Sequence, residues 1–131
     1  MVFLARTLTL NATYTLGAGD SISSESQSAK FTGSSGLSTT IAGTAPTGGL
    51  EYEVANFLGS GNKAAGIYFE NTDSTNFITL LLSTGSGLGD VSTLQVNAGS
   101  LVLLHDGSDT ITHIKVTADT AAATFVLSFC E

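Results

Sequence analysis

Thr112-His113-Ile114-Lys115-Val116-Thr117-Ala118-Asp119, followed by Thr124-Phe125-Val126-Leu127-Ser128-Phe129, decides the fold class. In the first stretch Ile114, Val116 and Ala118 alternate with His113, Lys115 and Thr117. In the second Phe125, Leu127 and Phe129 alternate with Thr124, Val126 and Ser128. A period of two puts one set of side chains on one face of a strand, whereas a helix needs 3.6. Leu50, Tyr52 and Val54 repeat the pattern against Glu51 and Glu53.

Working outward, the same reading predicts strands over 2–9, 12–16, 22–31, 37–43, 50–58, 65–70, 76–83, 91–96, 100–105, 110–118 and 123–129. Turn residues separate them, as in Leu16-Gly-Ala-Gly-Asp20, Thr32-Gly-Ser-Ser-Gly36, Ala45-Pro-Thr-Gly-Gly49 and Asn97-Ala-Gly99. Short strands joined by Gly, Ser, Asn and Asp turns predict an all-β fold, an antiparallel β-sandwich or jelly-roll-like barrel. The chain of 131 residues suits one domain. Residues 50–131 hold most large apolar side chains and predict a compact core. Residues 1–49, rich in Ser, Thr and Gly, read as edge strands or an arm packed partly on a neighbour; the alternative is that all 131 residues make one sandwich with a polar sheet face.

Charge is scarce. Only 11% of residues are charged, against about 25% in an ordinary domain, and the formal net charge is −7. The 16 Ser and 19 Thr supply much of the polar surface. Hydroxyls are far cheaper to desolvate than unpaired charges, which suits subunit contacts. Arg6, Lys30, Lys63 and Lys115 are scattered, so no basic patch exists for nucleic acid or an anionic membrane. Cys130 stands alone and forms no intrachain disulfide. The start, Met-Val-Phe-Leu-Ala-Arg, has no basic n-region and is interrupted at Arg6. It predicts no signal peptide and synthesis in a cytoplasm.

Each candidate for chemistry has a plainer reading. His105 and Asp106 are neighbours, but adjacent strand residues face opposite ways, so they read as a strand running into a turn. His113 lies on the polar side of its strand beside Lys115. Asp106-Gly-Ser-Asp109 and Asn71-Thr-Asp-Ser-Thr-Asn76 gather oxygen atoms, yet neither has the full ligand set of a calcium loop. Both read as turns. Gly85-Ser-Gly-Leu-Gly89 lacks the spacing and lysine of a phosphate loop. Cys130 has no basic neighbour to activate it. Tyr14, Tyr52 and Tyr68 are dispersed and there is no Trp, which weakens a sugar-stacking platform. The expectation is therefore a protein that is not an enzyme, with no catalytic, cofactor or metal residues.

Ile67-Tyr-Phe-Glu-Asn71, Thr75-Asn-Phe-Ile-Thr79, Val96-Asn-Ala-Gly-Ser-Leu-Val-Leu-Leu104 and the closing strand pair resemble a pattern in small structural proteins of tailed bacteriophages. The resemblance covers roughly residues 64–131 and departs at Ser100, where such proteins often carry an acid. It implies a β-sandwich used in capsid decoration (cement) or tail attachment. The expected partners are other copies of the chain, as a homotrimer, and a major capsid protein or other virion proteins. The expected location is the virion. A tail or fibre component and a carbohydrate-binding, lectin-like receptor-binding module are the alternatives.

Overall fold

The computed structural model describes residues 6–10, 13–15, 21–23, 27–31, 38–85, 91–105 and 110–131. Four short strands come first: β1 (Arg6–Leu10), β2 (Thr13–Thr15), β3 (Ser21–Ser23) and β4 (Gln27–Phe31). They pair antiparallel as β1 with β4 and β2 with β3, in two-stranded sheets of their own.

Eight longer-range strands follow: β5 (Ser38–Ala45), β6 (Leu50–Glu53), β7 (Gly66–Asn71), β8 (Ile78–Ser83), β9 (Val91–Val96), β10 (Leu101–His105), β11 (His113–Ala118) and β12 (Ala123–Cys130). They build two four-stranded sheets, β10-β7-β12-β5 and β6-β11-β8-β9, with every neighbour antiparallel. Among these eight, the first pairs with the last, the second with the seventh, the third with the sixth and the fourth with the fifth. The chain is thus a nested hairpin whose successive pairs alternate between sheets, which is the connectivity of a jelly roll. The all-β, antiparallel sandwich expected from the alternation is the fold observed.

Both sheets contribute to one core. Ile67, Phe69, Phe125, Leu127 and Phe129 come from the first sheet, and Ile78, Leu80, Val96, Ile114, Val116 and Ala118 from the second. Phe69 and Phe125 stack with ring centroids 5.6 Å apart, and Tyr52 meets Phe125 edge-on at 6.4 Å. Gly43 lies under this cluster: a Cβ there would come within 3.1 Å of the Phe125 ring. The crossing from β5 to β6 is a tight turn. Gly49 donates its N–H to the Pro46 carbonyl at φ +82°, where a Cβ would also strike Lys115 and Thr117.

The expected strand 50–58 is corrected at its end. β6 stops at Glu53, and Ala55–Leu58 form a one-turn helix, α1. Val54 and Leu58 are both fully buried and four residues apart, the spacing of one helical face. Phe57 on this turn packs edge-on against Phe129 at 5.7 Å and Tyr52 at 6.0 Å.

Candidate functional site

Strand alternation assigns the outer faces. On the first sheet Leu101, Glu70, Val126 and Ala42 form one row across all four strands, and Leu103, Tyr68, Ser128 and Thr40 form the next. Glu70 is the only charged residue in these rows, and the Tyr68 hydroxyl donates to its Oε2 at 2.7 Å. That hydrogen bond, with some burial and the nearby negative charge, raises the Tyr68 pKa above its ordinary value. Thr40 and Ser128 share a hydroxyl hydrogen bond of 2.8 Å across β5 and β12. Leu101 is 51% exposed.

The second sheet presents different chemistry. Its outer rows set Glu51 opposite Lys115 and Glu53 opposite His113. Leu81 and Thr93 continue the Lys115 row, whereas Ser83, opposite His113 in the register, is fully buried.

A pocket of about 320 Å³ opens at one end of this sheet. Glu53 ends β6, Thr112 precedes β11 and His113 begins it, Thr84 and Gly85 follow β8, and Gly61, Asn62 and Lys63 come from the loop after α1. Local bonds shape that loop. The Asn62 side-chain amide donates to the Leu58 carbonyl, and its backbone N–H to Gly59 at 3.1 Å. Thr112 Oγ1 donates to the Ser83 carbonyl at 3.3 Å and shares a 2.9 Å bond with His113 Nδ1. The lining offers a carboxylate, an ammonium, an imidazole, an amide and hydroxyls, and no aromatic platform. Of these residues the sequence analysis weighed His113, and Gly85 as the first residue of the Gly85–Gly89 run. The lining as a whole comes from four separate segments and matches no motif.

The remaining candidates fall as follows. His105 lies on β10, in the sheet opposite that of His113. Asp106 to Asp109 and residues 86–90 lie outside the described residues, as do Leu16–Asp20 and Thr32–Gly36. The Asn71 to Asn76 run is a turn whose oxygens serve its own backbone. Asp73 Oδ1 accepts from the N–H groups of Thr75 at 2.8 Å and Asn76 at 2.7 Å. Those bonds hold the Asp73 pKa below the usual carboxylate value. Asn71 is fully buried. Its amide donates to the carbonyls of Asn76 at 2.8 Å and Val96 at 3.0 Å, and its Oδ1 accepts from the Asp73 N–H at 3.0 Å. Gly99 N–H returns to the carbonyls of Asn71 and Asp73. Three of the segments quoted for the phage resemblance, Ile67–Asn71, Thr75–Thr79 and Val96–Leu104, therefore meet in one knot of turns.

Tyr52 and Tyr68 lie on different sheets and form no pair. Cys130 is half-buried and forms no disulfide. Among the described residues, no group of three or more His, Cys, Asp or Glu side chains is placed to hold a metal ion. No protein-family model, curated protein or solved structure matches this chain.

Proposed function

We infer that this chain is a non-enzymatic structural subunit of a virion, a capsid decoration protein that acts by assembling with copies of itself and with a shell protein. The observation that carries the reading is the outer face of the β10-β7-β12-β5 sheet, whose two central rows hold one charged residue in eight positions. Apolar and hydroxyl side chains there desolvate at low cost, as an interface core requires. The jelly-roll connectivity adds support at the level of fold analogy, since viral shell proteins use it widely. A trimer is the proposed stoichiometry, because it matches the local threefold positions of an icosahedral shell.

The test is quantitative mass spectrometry of purified particles from the native source. The reading expects the chain at a fixed ratio to the shell protein. Finding it only in the particle-free fraction would overturn it.

The pocket around Glu53, Asn62, Lys63 and His113 favours a second reading, a glycan-binding module, because jelly rolls also serve as lectins. Glycan-array binding that is lost in Asn62→Ala and Glu53→Gln would establish it in place of the first.

A further inference from the structure

The first sheet has four strands, all antiparallel to their neighbours, so its two edges β5 and β10 run in opposite directions. A copy related by rotation about an axis along the strands brings its β10 beside β5 antiparallel. That is the relation β5 already has to β12.

Both edges lack the devices that normally block such pairing. Exposed edges are usually protected by lysine, proline, bulges or inward charges. β5 reads STTIAGTA and β10 reads LVLLH, with no Lys, Arg, Asp, Glu or Pro in either. β5 pairs with β12 through eight consecutive residues without a bulge, from Ser38 to Ala45. Among the described residues, the ladder partner of β5 is β12 alone and that of β10 is β7 alone. Among the described residues, the hairpin strands β1 to β4 also pair only with one another. The other sheet is protected at one edge: β6 reads LEYE, and a second β6 would set Glu51 and Glu53 against their own copies.

Charge selects the occupant. With a net charge of −7, two copies can meet closely only where acids are absent. In a β10-to-β5 junction the two Glu70 side chains stand four strand spacings apart, roughly 19 Å. That exceeds the screening length of about 8 Å at physiological salt. Leu101, the most exposed large apolar side chain among the described residues, lies on the β10 edge that this junction covers.

We propose that β5 of one copy pairs antiparallel with β10 of the next, head to tail, so that the occupant of each edge is a second copy of this chain. One contact type then covers both edges, whereas a two-fold β5–β5 contact leaves Leu101 in water. The inference rests on the assembly reading above and adds the mode of contact, not the number of copies or the shell on which they sit.

Cross-linking of the full chain tests it. Ala42→Cys and Leu101→Cys are made separately in a Cys130→Ser background and treated with a flexible bis-maleimide, alone and after co-expression. Covalent dimers are expected from the co-expressed pair and from neither variant alone. Dimers from Ala42→Cys alone would show a two-fold contact and overturn the proposal. So would an absence of dimers from the mixture, whether light scattering finds an oligomer or a monomer. Circular dichroism checks the fold of each variant, and Thr40→Cys with Leu103→Cys replaces any that fails. Particle mass spectrometry decides the virion reading independently, so the two can fail separately.

Discussion

The β10-β7-β12-β5 sheet turns Leu101, Leu103, Tyr68, Val126 and Ala42 outward, whereas the β6-β11-β8-β9 sheet turns out Glu51, Glu53, Lys115 and His113. Inside, the two are alike, for each supplies aliphatic or aromatic side chains to the same core. A face needed only for solubility tolerates charge, and a face that meets another protein excludes it. At the rims the contrast is confined to one edge: β6 carries two acids, whereas β5, β10 and β9 carry none.

Substitutions can break that comparison, beginning where the sheets are equivalent. Phe125, 1% exposed, contacts Phe69 from its own sheet and Tyr52 from the other. Phe125→Ala should cost about 3–5 kcal/mol in urea unfolding. A loss below about 1 kcal/mol would mean the sheets do not share this core. Asn71→Ala comes next. It leaves the Val96 and Asn76 carbonyls and the Asp73 N–H without their partner, an expected loss of about 2–4 kcal/mol by the same measurement.

A matched pair then separates the two sheets. Ala42→Lys on β5 and Gln95→Lys on β9 both place a lysine at an exposed edge position, and each should change folding stability by under about 0.5 kcal/mol. Only Ala42→Lys should dissociate the oligomer in sedimentation velocity. Equal behaviour of the pair would erase the distinction drawn between the sheets.

The smallest expected effect is on acid stability. The Asp73 carboxylate is held below its ordinary pKa by the backbone N–H groups of Asn76 and Thr75. Its contribution is thus fully present above the unfolded value, near 4, and is lost as pH falls through the lower folded value. Thermal melts of Asp73→Asn should show a shallower decline than the unsubstituted chain below about pH 4. Parallel declines would place the acid sensitivity elsewhere.

The period-two runs at β11 and β12 made the strands and their buried faces legible, because alternation is a local property. Which strand pairs with which is not local. Nothing in Ser38 to Ala45 identifies Ala123 to Cys130 as its partner, since that choice depends on all eight strands closing a core together. The helical turn at Ala55–Leu58 was hidden for another reason. One turn is too short to express a 3.6 period, and only the Val54–Leu58 spacing hinted at it. The pocket was invisible because four separate segments meet to form it. The contrast between the outer faces was half legible: scarce charge was plain in the composition, but its uneven division between the sheets required the register.

Light scattering from the full chain at micromolar concentration tests the central claim, that this protein works by assembly, most directly. The account predicts a discrete particle of three chains, each 13.3 kDa. A stable species with the mass of a single chain would contradict it.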